Sequence, residues 1–344
     1  MTDPIASAGS QERKRVRHKS LVIPAEGENG LFTESWFPVC LSSEVKTGSV
    51  IGRPFLDGRI VIVRDEEGVA NAFSAYCPHM GADLATGKVV DGRLQCAFHR
   101  WEFSMEGWCE KTLVGDPAPR NACLYKFPTV ERFGFIWAFN GDEAWWNLPD
   151  YPVADDELEF ATFYDVPPVP TDPWVICANT PDWQHLIAVH RYQLDHKKVY
   201  DQIVWTDHSM EYPLKGRLED GAGPEVDTQV GIYGTSFFRM FGEIMGQWFC
   251  ALTGFHLLEP GKTQVYFSFG AKKSDGTPED DARVAFTHDF LFKFSKSIIS
   301  DDRPILHTTH YQPGALTVSD RALKKYLQFV RDFPRSHASA DFIR

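Results

Sequence analysis

The sequence is poor in several things that would each point to a function. Cations are scarce: 35 Lys and Arg stand against 47 Asp and Glu, for a formal net charge of −12. A generic nucleic-acid binder needs a basic surface to offset phosphate charge, so that class is disfavoured. No apolar run reaches the length of a membrane span. The nearest candidate, residues 237–258, is broken by Arg239 and Glu243. The first residues lack the apolar core of a secretion signal. Cysteine is sparse too. Its seven copies are odd in number and widely scattered, which argues against a disulfide framework and for metal or catalytic use. A reducing, cytoplasmic location is expected. The Gly-x-Gly-x-x-Gly fingerprint of dinucleotide binding is missing, so the chain is not expected to bind NAD(P)H itself.

What is present is an ordinary globular composition with many aromatics. Hydrophobic residues make up 43% and charged residues 24%, and there are 26 Phe and 10 Trp among 344 residues. That length suggests about two domains. Residues 1–32 read as a flexible polar tail carrying Arg13, Lys14, Arg15, Arg17 and Lys19. Residues 33–150 show short β-branched runs and turn signals, such as Arg59–Arg64 and the Asp91-Gly92 hairpin turn. This is an all-β unit. Residues 151–344 read as α+β, with a helix from about Trp174 to His190, strands between Val226 and Lys272, and a final helix over Ser319–Phe333. The fold class is therefore α+β, with an N-terminal all-β domain and a second, α+β domain expected to be built on a large antiparallel sheet.

Two groups of residues carry chemistry. The first is Cys77-Pro-His79 followed by Cys96-Ala-Phe-His99. Two thiolates and two imidazoles can hold zinc or a Rieske 2Fe–2S cluster. In a Rieske centre the cysteines bind one iron and the histidines the other, so each loop must reach both irons. A Cys–His pair on a tight turn can do that, which favours the cluster over zinc. The pattern is similar to that of the Rieske iron–sulfur proteins. Met80 and Arg100 depart from it, where Arg and Gly respectively are common.

The second group is Asp182-x-x-His185-x-x-x-x-His190. Asp182 and His185 share a helix face, but His185 and His190 lie five residues apart and point away from each other on an ideal helix. One metal can take both only if the helix breaks or distorts there. Two histidines and a carboxylate make the facial triad of non-haem Fe(II) oxygenases.

Here the chain resembles the catalytic α subunit of the Rieske non-haem iron oxygenases. Within that family it is nearest the monooxygenase-type subgroup of ketosteroid hydroxylases and aminopyrrolnitrin-type oxygenases. The resemblance implies that His185 and His190 bind mononuclear iron, with Asp302 as third ligand and Asp301 as runner-up. It implies that Asp182 bridges His185 to the partner subunit's His99, and that Asn179 sits at the edge of the active site. It also implies a terminal oxygenase that uses O₂ to hydroxylate a substrate, fed by a separate NAD(P)H-dependent reductase, directly or through a ferredoxin. A homotrimer follows from the same resemblance. The aromatic and Met-rich stretch Phe237–Phe249 points to an apolar, ring-containing substrate. The alternatives are an O- or N-demethylase with the same iron site, and a Rieske electron-transfer protein without oxygenase activity.

Overall fold

The computed structural model describes residues 21–344, apart from residues 166 and 313 and the side chains of His196 and Glu219. The basic cluster at Arg13–Lys19 therefore lies outside the described residues. The end of the expected tail does not: Leu21 and Ile23 are buried in the core of the second domain. The apolar side chains there outweigh the polar neighbours that made the stretch read as solvated.

The N-terminal unit is all β. One sheet pairs Ser49–Phe55, Gly58–Arg64, Ala70–Ser74 and Lys126–Phe127. A second pairs Trp36–Leu41, Phe135–Phe139 and Thr129–Arg132. A third, smaller sheet runs through Lys88–Val90, Arg93–Gln95, Glu102–Phe103 and Cys109–Lys111. The hairpin at Asp91-Gly92 forms as its sequence predicts, with both residues at positive φ.

The second domain is built on one antiparallel sheet. Its order is Leu158–Tyr164, Lys262–Lys272, Gln247–Glu259, Phe237–Ile244, Glu225–Tyr233, Ser209–Arg217 and Gln193–Leu194, with Val204–Trp205 also paired to Ser209–Arg217. Side chains alternate across a strand, so the sheet has two different faces. One face meets the N-terminal unit. There Phe237, Leu252 and Tyr266 pack with Trp36, Phe135 and Trp137. The approach is close: a Cβ on Gly254 would lie 2.7 Å from Pro38 Cγ.

The other face is covered by helices: α1 (Pro173–Ala178), α2 (Trp183–Ala188), α3 (His196–Tyr200), α4 (Pro278–Leu306), α5 (Arg321–Asp332) and α6 (Ala340–Ile343). Of these, α6 is the exception and packs on the N-terminal unit, where Ile343 is fully buried among Phe37, Phe55 and Ile60. The chain's last stretch thus returns to the first domain. Arg335–Ser336 also pairs with Phe32–Thr33.

Two helical details differ from expectation. The single helix expected over 174–190 is two helices, because Pro181 cannot continue the hydrogen-bond ladder. The 29-residue α4 was not anticipated, since exposed Phe286 and Phe292 blur its apolar stripe. It starts on the capping residue Thr277, whose hydroxyl accepts from Asp280 N, with Pro278 next and three acids in the first turn.

Candidate functional site

The two loops of the N-terminal unit repeat one backbone pattern. Cys77 O accepts from Gly81 N at 2.8 Å and Cys77 N donates to Ala82 O at 2.9 Å. In the second loop Cys96 O accepts from Arg100 N at 3.1 Å, and Cys96 N donates to Trp101 O at 2.9 Å. The fifth residue of each loop is left-handed: Gly81 at φ 75° and Arg100 at φ 55°. That accounts for the Gly preference at the position of Arg100, because an L side chain is strained there.

These turns face each cysteine inward and each histidine outward. Cys77 and Cys96 are buried, while His79 is exposed and His99 half-buried. The two Nδ1 atoms face each other at 3.1 Å. His79 stacks on Trp101 with centroids 4.4 Å apart. Burial, reinforced by the neighbouring Cys96, pushes the Cys77 thiol up to about 12. Two buried thiols side by side, and two imidazoles nitrogen to nitrogen, are unfavourable alone. They fit bound cations, which stabilise the thiolates and take both lone pairs.

The second centre starts at α2. Asp182 caps the helix, its Oδ1 accepting from His185 N at 3.0 Å. Trp183 anchors the helix edge-on against Tyr212. The helix stops at Ala188, and Arg191 adopts φ 56°. This break answers the geometric demand of the five-residue spacing: His190 leaves the helix and turns back toward His185. The two rings lie 4.6 Å apart at 86°.

The carboxylate comes from α4. Leu291, Phe294, Ser295, Ile298, Asp302 and Leu306 form its inward stripe. Asp301 is one residue, about 100°, around the helix. Its side chain is 51% exposed against 14% for Asp302, and it comes no closer than 4.0 Å to His190 Nδ1. Asp302 Oδ1 lies 3.2 Å from His185 Nε2 and 3.1 Å from His190 Nε2. It has no hydrogen-bond partner among the described residues. Ligand atoms of His185, His190 and Asp302 all lie within 4.8 Å of one another. Burial raises the Asp302 carboxyl, but the two imidazoles outweigh it and hold the group below its ordinary value. An unpaired buried oxygen facing two imidazole nitrogens fits a metal ion.

These groups sit on the wall of a cavity of about 180 Å³. An apolar cavity of about 150 Å³ already admits benzene. Strand alternation sends Phe238 and Met240 into it, while Phe237 and Phe241 face the N-terminal unit. Phe255, Phe267 and Phe269 line the floor. Asn179 and Thr180 contribute polar atoms at one side. Among the lining residues, the ionisable ones outside the triad are Tyr192, Tyr212 and Arg303. Tyr212 spends its hydroxyl donating to Thr180 O at 2.9 Å. Arg303 is tied to buried Asp165 and to Pro167 O. Arg303 and Asp165 were not singled out from the sequence, where nothing local signals their pairing.

Comparisons with known proteins agree with this geometry. Residues 35–128 match the Rieske [2Fe-2S] domain. Over 172 residues the chain is 33% identical to the cholesterol 7-desaturase nvd of Bombyx mori, spanning 47% of this chain and 36% of that protein. It is 31% identical over 169 residues to the aminopyrrolnitrin oxygenase PrnD of Pseudomonas fluorescens, spanning 45% of each. The matched stretch is less than half the length of either relative. The whole fold is that of dicamba monooxygenase bound to dicamba, with TM-score 0.64 and 20% identity over 87% of this chain and 96% of that one. NdmA of Pseudomonas putida CBB5 with caffeine gives TM-score 0.67 and 18% identity over 86% and 88%. The N-terminal unit is thus a Rieske [2Fe–2S] domain. Joined to this second domain, it gives the whole fold seen in dicamba monooxygenase. No helix among the described residues is long and apolar enough to cross a membrane.

Proposed function

We propose that the chain is the terminal oxygenase component of a multicomponent Rieske system, hydroxylating an apolar, ring-containing substrate. One observation carries the reading: the His185–His190–Asp302 cluster opens onto an apolar cavity in the same chain as a Rieske domain. In this reading Cys77, His79, Cys96 and His99 hold the cluster, and His185, His190 and Asp302 hold mononuclear iron. The cluster supplies electrons one at a time, and the mononuclear iron supplies O₂ activation.

The chain's own side chains do the rest. Phe238, Met240, Phe255 and Phe267 exclude water and hold a ring against the ligand cluster. Asn179 and Thr180 offer the hydrogen bonds that orient it. Asp182 fixes the start of α2, and we assign it the further role of linking His185 to the partner subunit's His99. Electrons come from a separate NAD(P)H-dependent reductase, directly or through a ferredoxin, and the working assembly is a homotrimer.

The test is a metal and sulfide count on anaerobically purified protein. About three Fe and two acid-labile sulfides per chain are expected. His185→Ala should lose about one Fe and keep its sulfide. Zinc without sulfide would end this reading. A panel of ring compounds with reductase and ¹⁸O₂ then separates outcomes by product mass. Formaldehyde release would identify the demethylase course instead.

A further inference from the structure

The helix that carries His185 has only six residues, too few to be stable alone. Its inner side is held by Trp183. Its outer side is held by Gln184, whose side chain points away from the cavity. Gln184 Nε2 donates to Asp320 Oδ1 and to Thr317 Oγ1, the latter at 3.2 Å. Asp320 is 6% exposed. Its Oδ2 accepts from Thr317 N at 2.6 Å and Thr317 Oγ1 at 2.8 Å. No cation pairs with it among the described residues. A buried carboxylate without a cation must be fully hydrogen-bonded, and Gln184 supplies the bond that leaves its own segment.

The linkage closes a ring of structure around the ligand cluster. Asp302 lies near the end of α4. From there the chain runs through the 307–317 connection to Asp320, which leads into α5. Asp320 then reaches back to Gln184, the residue before His185. The α5 side of the ring is rigid, because Ala322, Tyr326, Leu327 and Val330 are buried in the domain core. Consecutive residues on a helix differ by about 100°, so a fixed Gln184 on the outer side sets the rotation at which His185 enters the cavity.

We propose that Asp320, acting through Gln184, is a positioning residue for the metal ligand His185. This rests on the assignment of His185, His190 and Asp302 as a metal site. Asp320 also caps the turn before α5, so the variant that isolates the proposal is Gln184→Met. It removes the bond to α2 and leaves the Thr317–Asp320 cap intact.

The experiment titrates Co²⁺ into the full-length protein after removal of its mononuclear metal. Affinity and the visible Co²⁺ bands are read, with the Rieske spectrum and Tm as controls. Gln184→Met should bind Co²⁺ roughly tenfold more weakly and with shifted bands, the low end of what loss of a direct hydrogen-bond partner of a metal ligand costs. Asp320→Ala, which removes the acceptor, should show a similar loss, and the double variant no more than either single one. Wild-type affinity and bands in Gln184→Met would overturn the proposal, even if Tm fell. Should Asp320→Ala fail to fold, Gln184→Met still decides. If wild type itself binds no Co²⁺ at this site, the metal-site assignment fails instead.

Discussion

Arg100 holds a backbone conformation that its loop's counterpart gives to Gly81. The side chain cannot relieve the strain, since the turn must place His99 beside His79. Arg100→Gly should therefore raise stability by about 1 kcal/mol, the left-handed penalty less the entropy Gly adds to the unfolded chain. Thermal unfolding checks this, with an unchanged cluster spectrum. The two neighbouring aspartates should behave differently: Asp302→Asn should abolish tight metal binding at the second centre, and Asp301→Asn should leave it intact. Glu26 offers a pH test. It is fully buried beside Asp172 and near Arg335, and burial raises its carboxyl to about 7. The folded state then holds a proton that the unfolded state releases near its ordinary value of 4.5. Stability should fall as pH rises from about 4.5 to about 7, by on the order of 3 kcal/mol, and level off above. Glu26→Gln should flatten that fall in a Tm-against-pH series.

At the scale of elements, α4 matters most, since it supplies both Asp302 and one wall of the cavity. Its C-terminal half is pinned by Asp165, whose buried carboxylate accepts from Lys296 Nζ at 3.1 Å and from Arg303. Asp165→Asn should cost about 2 kcal/mol, discounted for the partial exposure of both cations, and speed hydrogen exchange over residues 296–306. This element also marks how far the sequence could be read. Cys77, His79, Cys96, His99, His185 and His190 stood out because ligand-type side chains at short, fixed spacings make a local pattern. Asp302 was preferred to Asp301 only through the family resemblance, because choosing between neighbours from the residues themselves requires knowing which face of a helix looks inward. Asp165 left no mark, and Asp320 stood out only with Ser319 at the start of the final helix. Their partners lie 138 and 136 residues away, at Arg303 and Gln184, and no local pattern records such a contact. The break at Pro181 was legible as chemistry but was overridden by the apolar spacing on either side of it.

At the scale of the whole molecule, the two domains share their cores more than a division near residue 150 suggests. Leu257 of the large sheet and Ile343 of α6 are buried with Phe37 and Ile60 of the Rieske unit. Arg344 adds an ion pair to Asp57 at 2.7 Å. Ile343→Ala should cost roughly 3 kcal/mol, because a fully buried side chain leaves a cavity that close-packed neighbours cannot fill. If the domains melt together, one calorimetric transition should shift as a whole. Two separating transitions would show that α6 serves the Rieske unit alone.

The pairing of Phe32–Thr33 with Arg335–Ser336 bears on how the protein is made. The cluster loops rest on strands between residues 49 and 127, which leave the ribosome early. The strand at Phe32 waits for a partner some 300 residues later. During synthesis, then, the cluster loops can take shape before the chain is finished. Residues 335–343 arrive last and complete a different core of the same unit, the one around Phe37 and Ile60, so delivery of the cluster need not wait for them.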